Sequence, residues 1–163
     1  MGVNDPIPLI SIANTYVQMG QFLVASRNML RAVSFNPTDP TVYGQLGVVY
    51  YKARNYEGSI LPLQCATKGC TAAESCLVRN GGAECAPEDV GDIVIQALPM
   101  TTNTVIYYYI YGSVMAGLHQ KSNGYCEEAV RVFKEITAKF ASDVTIMSIV
   151  NEGMGICSFY GYK

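Results

Sequence analysis

The sequence predicts an all-α fold, a solenoid of stacked helical hairpins, on three observations. First, shifting the chain by 34 residues brings Leu9 onto Tyr43, Ile12 onto Leu46, Ala13 onto Gly47 and Tyr16 onto Tyr50. The same shift brings Phe22 onto Tyr56, Ala25 onto Ser59, Met29 onto Leu63 and Ala32 onto Ala66. Self-similarity at such a period marks a stacked-repeat architecture. Second, each copy reads as two amphipathic helices joined by a short turn. Third, Ala13, Gly47, Ala25 and Ser59 are small where paired helices would cross closely, and a large side chain there would hold them apart.

The first unit, 6–39, turns at Met19-Gly20-Gln21 and ends at Asn36-Pro37-Thr38-Asp39-Pro40, because proline cannot continue a helix. The second, 40–68, turns at Ala53-Arg54-Asn55. The shared pattern is large-x-x-apolar-small-x-x-Tyr in the first helix and aromatic-x-x-small in the second. With the period of 34, it resembles the tetratricopeptide repeat (TPR). Unit one matches down to Asn36-Pro37; unit two departs at Thr71, where a proline would complete the pattern.

A third unit spans 103–140. Its first helix covers 107–118, and its second carries Cys126-x-x-Ala129-x-x-x-Phe133, the TPR second-helix pattern with cysteine in the aromatic position. The turn between them, 119–125, is longer than the others. A closing helix follows over 143–159, capped by Ser142 or Asp143 and weakened near its end by Gly153 and Gly155. The interruption at 69–99 holds Cys70, Cys76 and Cys85, the turn signal Asn80-Gly81-Gly82 and an apolar, β-branched run over 92–98 stopped by Pro99. It reads as a Cys-rich β-hairpin or loop inserted into a single domain of 1–163. From this insertion to Cys157 the chain is similar to the C-terminal part of secreted and cell-surface bacterial TPR proteins.

Cysteine usage bears on compartment. Cys65, Cys70, Cys76, Cys85, Cys126 and Cys157 make an even set, which fits three disulfides. Free buried thiols and a metal site are the alternatives, but zinc knuckles use tighter C-x2-4-C spacing. Cys126 opens the second helix of unit three and Cys157 ends the helix that should pack on it, so these two are expected to pair, with the other four pairing among themselves. Disulfides imply an oxidising compartment. The segment Met1-Gly2-Val3-Asn4-Asp5-Pro6 is not a signal peptide, so the expectation is an extracellular or surface chain after leader removal, or else a cytoplasmic one. No run is long and apolar enough to span a bilayer.

Composition excludes some functions. Only 15% of residues are charged and the net charge is −2, without the basic stripe of a nucleic-acid binder. No nucleophile elbow, phosphate-binding glycine loop or metalloprotease helix motif occurs, so no enzyme, cofactor or metal is expected. Tyr107, Tyr108, Tyr109 and Tyr111 read as packing residues of a first helix rather than as a stacking platform. His119, the one histidine, reads as a solvated loop residue. Glu127 and Glu128 suit a helix N-terminus. Glu74, Glu84, Glu88 and Asp89 make the insertion acidic in no calcium-binding spacing.

The resemblance implies protein binding. A groove along the first helices would present Ile7, Ile10, Ser11, Asn14, Thr41, Gly44, Gln45 and Val48; only Asn14 suits the carboxylate clamp of peptide-binding TPRs. Two functions follow. In the first, uncapped ends self-associate into a filament or tubule, through Leu9 and Ile10 at one end and Ile146, Ile149, Val150 and Phe159 at the other. In the second, the chain is a periplasmic or surface adaptor that grips a partner peptide in its groove.

Overall fold

The computed structural model describes residues 6–163. Among them it forms eight α-helices and no β-sheet, in two compact units divided between Leu98 and Pro99.

The first unit holds α1 (Pro6–Gln18), α2 (Phe22–Phe35), α3 (Pro40–Lys52), α4 (Tyr56–Thr67) and α5 (Ala72–Arg79). α1 pairs with α2 and α3 with α4, and α2 packs on α3. These are the TPR-like stacked hairpins. The two hairpin turns repeat each other in backbone conformation as well as in sequence. Gly20 sits at φ 74° and Arg54, one period later, at φ 62°; such left-handed geometry favours glycine. Asp39 caps α3 by accepting from the Thr41 amide at 2.9 Å, with Pro40 in the first turn. Asn55 caps α4 through the Gly58 amide at 3.1 Å. The core comprises Ala13, Ala25, Met29, Val33, Tyr43 and Leu46, all fully buried. A β-carbon on Gly47 would stand 2.5 Å from Cγ of Leu63, so the small position in the repeat is a true close crossing.

The interruption is a Cys-rich insertion that takes the loop alternative rather than the β-hairpin, with one short helix inside it. Residues 72–79 form α5, started by a reciprocal capping box. The Glu74 amide donates to Thr71 Oγ1 at 3.2 Å and the Thr71 amide to Glu74 Oε1 at 3.0 Å. α5 packs on α4 and α2. The run 92–98 is not a strand. It is an extended segment whose ladder stops at one antiparallel bridge, Cys70 with Ile95. The reason is local: Thr71 turns the chain into a helix, whose amides are then spent inside α5. Segment 92–98 is held instead by scattered bonds. Ser75 Oγ donates to the Ile93 carbonyl at 2.5 Å and the Leu98 amide to the Ala66 carbonyl at 2.8 Å.

The second unit contains α6 (Val105–Gly117), α7 (Tyr125–Phe140) and α8 (Val144–Phe159), each packed on the other two. α6 is apolar nearly all round and is buried accordingly. α7 is amphipathic: Cys126, Ala129, Val130, Val132, Phe133 and Ile136 point inward. Outside, Arg131 bridges Glu128 and Glu135. Asp143 caps α8 by accepting from the Ile146 amide at 3.0 Å. Phe133 stands to Gly112 as Leu63 stands to Gly47, but five residues further along the chain. The fifth lies at the start of α7 and the other four in the α6–α7 turn. There Asn123 Oδ1 accepts from the Gln120 and Tyr125 amides and its Nδ2 donates to the Leu118 carbonyl.

Candidate protein-interaction surfaces

The six cysteines form three bridges: Cys65–Cys70, Cys76–Cys85 and Cys126–Cys157. The first closes the α4–α5 connection and the second ties α5 to the loop after it. The third joins the start of α7 to the end of α8 across a Cα separation of 5.4 Å. With every thiol bridged, none is available as a nucleophile. Among the described residues no cluster of His, Cys, Asp and Glu is placed to hold a metal.

His119 is a correction. It is 8% exposed rather than solvated. Its Nδ1 accepts from the Cys126 amide at 2.9 Å, capping α7 from the preceding turn. Its ring lies 4.7 Å from that of Tyr160 and 5.1 Å from that of Tyr162. The long turn and the segment after α8 are thus packed around one imidazole. No sequence spacing announces this contact, because the partners are 41 and 43 residues away.

Other polar groups also serve structure. Tyr43 Oη donates to the Pro37 carbonyl at 2.7 Å and accepts from Arg79 Nη1 at 3.0 Å, locking α5 onto the end of unit one's repeat. Burial pushes the Tyr43 hydroxyl above its ordinary pKa, and Arg79 offsets part of that rise. Glu74 is held below the usual carboxylate range, first by the Thr71 amide. Tyr107, Tyr108 and Tyr111 are buried and Tyr109 is partly so, which fits packing residues.

Large apolar side chains are exposed on both α1 and α8. On α1, Ile7 is 63% exposed and Ile12 44%; on α8, Val144 is 83% and Phe159 85% exposed. α1 carries no charged residue and α8 only Glu152. Ile10, Ile146 and Ile149 are half-buried. Leu9 and Val150 are buried within their own units, where they hold α1 and α8 in place and offer nothing outward. Of the expected groove positions, Ile7, Ser11 and Asn14 are exposed while Gly44 is buried. A concavity of about 660 Å³ opens beside the first hairpin turn, lined by Phe22, Leu23, Arg27, Leu30 and Tyr50 among others.

Neither a protein-family model nor a solved structure matches the chain. Over 70 residues the chain is 31% identical to tetratricopeptide repeat protein 17 of Mus musculus. That stretch covers 43% of this chain and 6% of the mouse protein. The likeness agrees with the hairpin architecture.

Proposed function

We propose that this chain is a non-enzymatic protein-interaction module whose copies join through α1 and α8 into an extracellular filament or tubule. The observation that carries the reading is the exposure of Ile7, Ile12, Val144 and Phe159 on two helices that share a single charge. Apolar groups this exposed mark interaction sites when they cluster on uncharged faces. Contact between two unlike faces is heterologous, so it propagates unless it closes into a ring. The three disulfides support an oxidising compartment, and no described helix is long and apolar enough to cross a membrane.

Light scattering of the purified chain tests this. The parent is expected to form large species, and Ile12→Lys and Phe159→Lys to give folded, helical monomers by circular dichroism. A parent that stays monomeric at high concentration rejects self-assembly. The peptide-adaptor reading then takes its place, favoured by the exposed, uncharged line of Ile7, Ser11 and Asn14 on α1.

A further inference from the structure

Charges within the helices that carry the apolar faces are few and of one sign on each. Across α1 and α2 the only charged residues are Arg27 and Arg31, both exposed on α2. Across α8 the only one is Glu152, also exposed. Among the described residues none of the three joins an ion pair. Each charge lies in line with exposed apolar groups. On α2, Leu23 precedes Arg27 by four residues, placing both on one face; Leu23 is 64% exposed, and both line the concavity beside the first turn. On α8, Ile156 and Phe159 follow Glu152 by four and seven residues on one face, 39% and 85% exposed. In both helices one turn, about 6 Å, separates the charge from the nearest apolar group.

We infer that the α2 stripe of one copy, Leu23 with Arg27 and Arg31, receives the α8 stripe of the next, Glu152 with Ile156 and Phe159. This rests on the self-assembly reading and extends its α1–α8 joint to α2, the helix paired with α1. The two helices run antiparallel across the joint. Glu152 meets the arginines, and Ile156 and Phe159 cover Leu23 and the concavity. A second copy is the fitting occupant because the two stripes are opposite in charge and alike in apolar spacing, and one chain carries both. The charge pair sets register and orientation, and the apolar groups supply the buried area.

Charge exchange tests the contact on the full chain. Glu152→Arg makes both stripes basic, and Arg27→Glu with Arg31→Glu makes both acidic. Each variant is expected to stay helical and to associate at least about tenfold more weakly than the parent, since like charges then face each other. Mixing the two variants restores an opposite pair at every joint and is expected to restore large species in sedimentation velocity. If both variants assemble as the parent does, the α2–α8 contact is wrong while self-assembly stands. If they dissociate but the mixture does not recover, the loss is unspecific and the contact is again wrong. A monomeric parent overturns the self-assembly reading and this contact together.

Discussion

A β-carbon on Gly112 would stand 2.7 Å from Cε1 of Phe133. Gly153 of α8 presses the same ring still more closely from its own helix. Phe133, fully buried, is therefore pinched between α6 and α8 and has no direction in which to retreat. Two glycines that weaken their helices by propensity strengthen the unit by letting three helices close around one ring.

The sign of a glycine-to-alanine change separates these roles. In an open helical position alanine is favoured by about 1 kcal/mol. Gly155, with nothing near its missing side chain, is expected to follow that rule, so Gly155→Ala raises the melting temperature. Gly112→Ala and Gly153→Ala overpack the ring and are expected to lose about 1–3 kcal/mol. Gly47→Ala should do the same against Leu63. Denaturant melts of the four variants check the pattern, and a stabilising Gly112→Ala would refute the crossing.

Removal of a disulfide should cost more the longer the loop it closes, rising with the logarithm of that length. Cys126–Cys157 spans a sequence separation of 31 and Cys65–Cys70 one of 5. On the chain-entropy account these contribute roughly 3.7 and 2 kcal/mol. Replacing both members of each pair by serine should therefore cost the second unit more than the first. The pairings themselves are read by non-reducing peptide mapping.

Alkaline stability depends on buried tyrosines. Burial raises the pKa of Tyr43, Tyr50 and Tyr108, with Glu135 adding to the rise at Tyr108. The unfolded chain then loses protons at about pH 10 while the native one keeps them. Below that pH the contribution is fully present; above it, stability falls as pH rises toward the native-state values. Tyr43→Phe should flatten this fall in urea melts between about pH 9 and 11, roughly one unit either side of the ordinary tyrosine value. It should also cost about 1 kcal/mol at neutral pH through the lost Pro37 bond. An unchanged alkaline slope in the variant counts against Tyr43 as a contributor.

Much of the architecture was legible in the sequence because its cause is local. The 34-residue period, the apolar faces, the turn at Gly20 and its echo at Arg54, and the proline stop after α2 all arise within one or two helical turns. The close crossings were legible for the same reason: Ala13 and Gly47 sit at matching positions, and sterics leave little choice there. Segment 69–98 shows where local reasoning stops. The β-branched run 92–98 has strand composition, but a strand needs a partner, and the Thr71-x-x-Glu74 capping box had already committed that partner to α5. His119 shows the same limit. Its neighbours Tyr160 and Tyr162 come from beyond α8, and a contact over such a separation exists only once α6, α7 and α8 have packed. The tertiary structure also decided which apolar residues face outward. Leu9 and Val150 went to the cores and Phe159 to the surface, because a helix spends its apolar side chains on whichever neighbours the fold supplies.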